Sequence, residues 1–167
     1  RVYNGYSYIS QIALLLFGFY YAKHISYERF SDLFLKWMRI IAIASLVCFV
    51  FGSIIIEMDF IPTVTNSVYN SYKVLFLTNV PLSTSLARRN WGPFWEPGTF
   101  QFYLNIALMF ALFKKGNKSK LFDTCLFIIT ALTTLSGAAV LPIPFIFLAY
   151  LFGKEHEKNK GWSKLFV

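Results

Sequence analysis

This sequence has few charged residues, two cysteines and two histidines. Charged residues make up 14% of its 167 positions, whereas about 25% is usual in soluble domains. Two cysteines exclude a disulfide-rich scaffold, and the distant pair His24 and His156 offers no zinc pattern or Ser–His–Asp spacing. The apolar fraction is 56% and the mean hydropathy is +0.52, which excludes a disordered chain. The composition predicts an integral membrane protein.

Four stretches lack charge altogether, and a charged side chain at the bilayer centre is costly. They are 2–22, 40–56, 97–113 and 124–153. A crossing needs about 20 apolar residues, so each of the first three fits one crossing, whereas the fourth is long for one and short for two. Ser136-Gly137 near its middle favours a hairpin. A single long span with a proline kink is the alternative.

The positions of the basic residues predict the orientation. Lysine and arginine concentrate in 23–39, 114–120 and 154–167, with four in each, whereas 57–97 carries three basic and three acidic residues. By the positive-inside rule the basic segments are cytoplasmic and the outer loop is 57–97. We therefore expect an all-α, polytopic helical membrane protein with one domain, 1–167, and no nucleic-acid partner despite the net charge of +8. Its five predicted spans are about 6–22, 40–56, 98–113, 121–136 and 138–153.

The chain begins with Arg1 rather than Met, so we expect it to be part of a longer multi-span protein.

Within the outer loop, apolar residues recur every three or four positions, which predicts an amphipathic interfacial helix. These residues are Ile61, Val64, Val68, Tyr72 and Leu75.

The stretch SLARRNWGPFWEPGTFQFYLNIALMF carries the candidate chemistry. Arg88 and Arg89 precede a turn with Trp91 and Trp95, and Pro97 suits the first position of a helix. Helix starts and forked arginine donors both favour phosphate. The pattern predicts a phosphate or diphosphate site at the outer boundary, with Arg88 and both tryptophans binding substrate. Interfacial anchoring is the alternative, because tryptophan and arginine also favour the headgroup region.

Three polar side chains follow the arginines. Glu96 can act as a general acid or base, or it can simply favour the helix start through the dipole or pair with an arginine. Gln101 and Asn105 lie four residues apart and so share a helix face. They either line a substrate cavity or hydrogen-bond between helices.

Two motifs in this order resemble the O-antigen polymerase and O-antigen ligase superfamily. RNWGPFWEPGTFQFYL matches the family pattern of an arginine, a glycine three residues on, and an acidic residue followed by proline. ITALTTLSGAAV matches the later T-x-S motif before small residues. The matching positions are Arg89, Gly92, Glu96, Pro97, Thr134 and Ser136.

The resemblance implies a GT-C-like glycosyltransferase of the bacterial inner membrane with its functional face in the periplasm. Such enzymes act on undecaprenyl-diphosphate-linked oligosaccharides without a metal or other cofactor, and a chain-length regulator is an expected partner alongside membrane lipids. The arginine at the position of Arg89 engages the diphosphate, and we expect catalysis to depend on Arg89 and Glu96. The products are O-antigen, capsule or exopolysaccharide.

Members of the family have about ten or more spans and a second outer loop, whereas we predict five spans here and the sequence stops before that loop. The ligase branch is expected to carry a histidine outside the membrane, and neither histidine here qualifies, which favours a polymerase. A ligase, a flippase or transporter subunit for lipid-linked glycans, and a scaffold without chemistry are the alternatives.

Overall fold

The computed structural model describes residues 5–65, 71–75, 77–82 and 89–163. The chain divides into two compact units, Arg1–Phe34 and Leu35–Val167. The first contains helix α1 and the first turns of α2, and the exposed side chains of α1 are largely apolar, for example Leu14, Leu15 and Phe19. The second unit contains the remaining elements and the candidate site.

Helices account for most of the described residues, which confirms the helical class in its coarse form. They are α1 (Gly5–His24), α2 (Tyr27–Val50), α3 (Gly52–Glu57), α4 (Pro97–Phe113), α5 (Lys120–Thr133), α6 (Gly137–Val140) and α7 (Pro142–Ser163). Within the described residues, α2 is the one helix long and apolar enough to cross a membrane, while α4 and Pro142–Lys154 are apolar but shorter. Five crossings therefore stay a prediction.

A small sheet replaces the predicted amphipathic helix. Strands β1 (Thr63–Thr65), β2 (Ser71–Leu75) and β3 (Thr78–Pro81) pair antiparallel in that order, with Val64 opposite Tyr72 and Lys73 opposite Val80. The helix prediction is wrong here, and the protein is not all-α. Threonine, valine and tyrosine favour a pleated surface; Val68 lies outside the described residues.

The α4–α5 hairpin forms the core of the second unit. The most buried apolar residues of α4 recur every three or four positions, as on one helix face. They are Phe100, Leu104, Ala107, Leu108 and Ala111. Phe127 and Ala131 are the most deeply buried apolar residues of α5, the partner helix. Alanines in this seam allow the helices to approach closely.

The charge-free run 124–153 turns back on itself. Lys120 at the start of α5 donates to the hydroxyl of Tyr150 in α7 at 2.9 Å, and α7 packs against α4, so α7 runs back toward the start of α5. The reversal includes Leu135, whose φ is 49°. The chain therefore reverses within this run, and the crossing of a membrane by its two limbs stays a prediction.

A buried ion pair joins α2 to α5. Arg39 donates from Nε and Nη2 to the two carboxylate oxygens of Asp123 at 2.5 and 3.0 Å. Asp123 is fully buried, and Asn117 donates to the same carboxylate at 3.0 Å. The bidentate geometry fixes the relative position of the two helices.

Candidate functional site

The two sequence motifs meet through Arg89. Its Nε donates to the carbonyl oxygen of Thr134 at 3.1 Å and its Nη2 to that of Leu135 at 2.8 Å. These carbonyls lie just beyond the last turn of α5, where backbone acceptors lack helical partners and a cation is favoured. Segments that are 45 residues apart in sequence are thereby held together, and the guanidinium is fixed in one orientation.

Asn90 holds the same junction from inside. Its backbone N–H donates to the carbonyl oxygen of Thr133 at 2.9 Å. Its side-chain amide donates to the hydroxyls of Ser45 and Thr133 at 3.1 and 3.0 Å, and its Oδ1 accepts from the N–H of Gly92 at 3.0 Å. Asn90 therefore joins the loop that precedes α4 to α2 and to the end of α5. Sequence reasoning missed it, although asparagine two residues before glycine suits this local turn.

The turn after Asn90 requires glycine. Gly92 has φ of +54°, and a Cβ at this position would lie 2.8 Å from the ring of Phe100. Asn79 of β3 donates from its backbone N–H to the Gly92 carbonyl at 2.6 Å and from Nδ2 to the Phe94 carbonyl at 2.9 Å. The sheet, the turn and the start of α4 are thus packed together.

Gln101 connects α4 to the T-x-S motif. The Thr134 hydroxyl lies 2.6 Å from Gln101 Oε1 and 2.7 Å from the carbonyl oxygen of Ala131. A hydroxyl has a single hydrogen to donate, so it bonds one of these acceptors at a time. Both polar side chains are fully buried. The helix–helix hydrogen bond, one of the two interpretations of Gln101, is present here.

A cavity of about 760 Å³ lies beside Arg89 and Asn90. Small-ligand sites span roughly 300–1,000 Å³, so its size suits a ligand. The ends of α2 and α3 form one wall and the segment 78–82 forms another. The apolar lining includes Val50, Ile56, Val80, Pro81 and Leu82. The lining also includes the polar residues Ser45, Ser53, Thr78 and Asn79, so the cavity combines a mixed polar and apolar lining with a fixed guanidinium.

Among the residues that the structure describes, the charged ones that line this cavity are Arg89 and Glu57. Glu57 is the last residue of α3 and is exposed. Within the described residues Arg89 makes no salt bridge, so its positive charge is not neutralised by a carboxylate there. Sequence reasoning counted Glu57 only as part of the charge balance of the outer loop. No sequence motif links Glu57 to Arg89, because the folded sheet, and not their spacing in the sequence, brings their segments together.

Glu96 lies elsewhere. It is the N-cap of α4, is exposed, and accepts a hydrogen bond from the Thr99 hydroxyl at 2.8 Å. It does not line the cavity. This position agrees with the structural interpretation of Glu96, in which a carboxylate stabilises a helix start through the helix dipole.

The other described residues that were predicted to bind substrate do not line the cavity. Trp91 is 4% exposed and its ring lies 6.0 Å from that of Tyr72, whereas Trp95 is 66% exposed. Asn105 is buried in α4 below Gln101. Arg88 lies outside the described residues.

Comparison of the chain with protein-family models, with curated proteins and with solved structures finds no match.

Proposed function

We propose that this protein polymerises lipid-linked oligosaccharide repeat units at the outer face of a bacterial cytoplasmic membrane. The observation that carries the proposal is the Arg89 guanidinium, fixed by two main-chain carbonyls on a cavity whose lining is partly apolar. A polyprenyl-diphosphate-linked glycan is an amphiphile with two phosphates next to an apolar chain. Its chemistry complements both parts of the cavity.

Arg89 acts on the leaving group. Two of its five N–H donors bond the carbonyl oxygens of Thr134 and Leu135. The other three donors are enough to hydrogen-bond phosphate oxygens. When the bond between the anomeric carbon and the diphosphate oxygen breaks, the electron pair goes to the diphosphate. A prepositioned cation stabilises the charge that develops there.

The attacking group is a hydroxyl of a second lipid-linked chain. Its oxygen bonds to the anomeric carbon, and its proton must pass to a base. We assign this role to Glu57, because it is the carboxylate that lines the cavity with Arg89. Glu96 then stabilises the start of α4 and does not take part in the transfer.

Two contacts agree with the membrane orientation that the proposal requires. Arg39 and Asp123, which adjoin two segments predicted to be cytoplasmic, form an ion pair. Arg89 lies at the other end of α5, beside residues that follow its last turn. The site and the basic loop 114–120 thus lie at opposite ends of one helix of about 21 Å, at 1.5 Å per residue.

The proposal is tested in cells whose surface polysaccharide depends on this protein. Arg89→Ala and Arg89→Lys are compared with Arg29→Ala, an exposed arginine of α2, at equal protein level. We expect transfer to fall about 10² to 10³-fold in Arg89→Ala. We expect a loss in Arg89→Lys too, because lysine lacks the planar fork.

The products separate the alternatives. Single repeat units that accumulate on the outer face support a polymerase, whereas accumulation on the inner face indicates a flippase. Long chains that are made but not transferred indicate a ligase. Long chains of normal amount in both Arg89 variants would contradict the proposal and favour a scaffold.

A further inference from the structure

A lysine is buried behind the part of the cavity wall that carries Glu57. Lys73, the middle residue of β2, is 5% exposed and does not itself line the cavity. It lies opposite Val80 of β3, and directly paired residues of neighbouring strands project from the same face of a sheet. Val80 lines the cavity and belongs to one apolar cluster with Ile55 of α3. The Lys73 side chain therefore also projects towards α3.

The ammonium of Lys73 reaches the end of α3. Its Nζ donates to the carbonyl oxygen of Met58, the residue that follows Glu57 at the end of this helix. The same carbonyl oxygen accepts from the N–H of Ile61 at 3.3 Å, and the N–H of Met58 donates to the carbonyl oxygen of Ile55 at 3.2 Å. Both lone pairs of the Met58 carbonyl are thereby used, and the backbone next to Glu57 is held against the sheet.

Hydrogen bonding at Met58 does not by itself require a lysine. The N–H of Ile61 already satisfies the carbonyl, and the adjoining cluster of Ile55, Ile61 and Val80 is apolar. A buried ammonium is costly unless it is paired with a carboxylate, and among the described residues Lys73 forms no salt bridge. A polar group retained against the local packing rules is typical of a functional site.

We propose that Lys73 is the positioning residue of Glu57: its ammonium fixes the backbone after α3, so that the carboxylate is held at the cavity that Arg89 also lines. This inference rests on the proposed function, in which Glu57 takes the proton of the attacking hydroxyl. A base must lie within hydrogen-bond reach of the proton that it removes, and a misplacement of about 1 Å can cost about 10² in rate.

The experiment measures kcat and KM for the lipid-linked donor with the purified full-length protein, together with thermal unfolding in detergent. Lys73→Met keeps most of the side-chain volume and removes the ammonium. Lys36→Met, the same change at an exposed position of α2, is the matched control. Glu57→Gln and the double variant Glu57→Gln/Lys73→Met complete a double-mutant cycle.

We expect Lys73→Met to lower kcat about 10- to 100-fold at unchanged KM, because a displaced base affects the transition state and not the binding of the donor. The unfolding midpoint should stay the same or rise, since an apolar side chain replaces a buried charge. In the Glu57→Gln background, Lys73→Met should cause no further loss, because the lysine acts through that carboxylate. The control should match the wild type.

Four results would overturn the proposal. They are a wild-type kcat in Lys73→Met, a wild-type kcat in Glu57→Gln, a further loss in the double variant, and a loss of kcat that accompanies a lower unfolding midpoint, which would assign a structural role only. The proposed function fails separately, through normal transfer in Arg89→Ala. Losses in Arg89→Ala and Glu57→Gln beside a normal Lys73→Met would reject this inference alone.

Discussion

Arg89 donates from Nη2 to the carbonyl oxygen of Leu135 at 2.8 Å, and Leu135 is the one non-glycine residue in the described part of the chain with a positive φ, 49°. The left-handed backbone at Leu135 belongs to the reversal after α5, whose carbonyls Arg89 contacts. The orientation of the guanidinium and the geometry of the hairpin turn therefore depend on each other.

Replacing Leu135 by glycine should stabilise the protein. A left-handed backbone costs a side-chain-bearing residue about 1 kcal/mol or more, and the Leu135 side chain is 62% exposed, so little packing is lost. We expect Leu135→Gly to raise the midpoint of thermal unfolding in detergent. Leu132→Gly is the control, because Leu132 is 54% exposed within α5, where glycine should cost about 1 kcal/mol. A lower midpoint in both variants would contradict this account.

Gly92→Ala should destabilise the site strongly. The added Cβ would lie 2.8 Å from the fully buried Phe100 ring, on a backbone with φ of +54°. Together, strain and overpacking should cost about 2–4 kcal/mol. Gly116→Ala is the matched control, since Gly116 has φ of +76° but nothing within 4 Å of a Cβ. Thermal unfolding should show a clearly larger loss at Gly92; equal losses would mean that Phe100 does not limit this position.

The ion pair between Arg39 and Asp123 should couple two helices energetically. Arg39→Met leaves the carboxylate of Asp123 buried without its cation and should cost about 3 kcal/mol, whereas Asp123→Leu leaves a partly exposed guanidinium and should cost less. The double variant should cost less than the sum of the two. A double-mutant cycle on the unfolding free energy measures this coupling, and simple additivity would show that the pair contributes no interaction energy.

Glu57 and Glu96 should differ in their effect on polymerisation. If Glu57 accepts the proton of the attacking hydroxyl, Glu57→Gln should slow chain extension by about 10² or more. Glu96→Gln should change the rate little, because Glu96 lies outside the cavity. Polysaccharide length on gels, at matched protein level, checks both variants. The reverse order of effects would return the catalytic role to Glu96.

The sequence predicted helices best where charge was absent. The span expected at 98–113 corresponds to α4, which begins at Pro97. Helix α2 begins at Tyr27, well before residue 40, where the predicted span begins, because charged residues stop a membrane span without stopping a helix. Runs of uncharged residues therefore locate apolar segments but not helix ends.

The spacing of the apolar residues did not predict the sheet. The apolar spacing from Ile61 to Leu75 fitted a helix, but the segment pairs as strands with Val64 opposite Tyr72. A helical period carried by five apolar residues is weak evidence when Thr63, Thr65 and Val74, which favour strands, lie between them. Strand pairing is a tertiary effect that single-segment reasoning does not contain.

The candidate site was predicted in part. The order of the two motifs pointed to Arg89, Thr134 and Ser136, and Arg89 contacts the second motif. Asn90 and Glu57 were not predicted, because their roles arise from contacts with α2 and from a cavity wall. Long-range hydrogen bonds and cavities are properties of the folded chain, with no local pattern to indicate them.

Binding of a polyprenyl-diphosphate-linked repeat unit to the purified full-length protein tests the central claim most directly. Wild type, Arg89→Ala and the control Arg29→Ala are compared by native mass spectrometry, with inorganic pyrophosphate as competitor. We predict that pyrophosphate competes and that Arg89→Ala loses about 10- to 100-fold in affinity, the worth of a charge-assisted hydrogen bond, while the control is unchanged. Wild-type affinity in a folded Arg89→Ala variant would contradict the account.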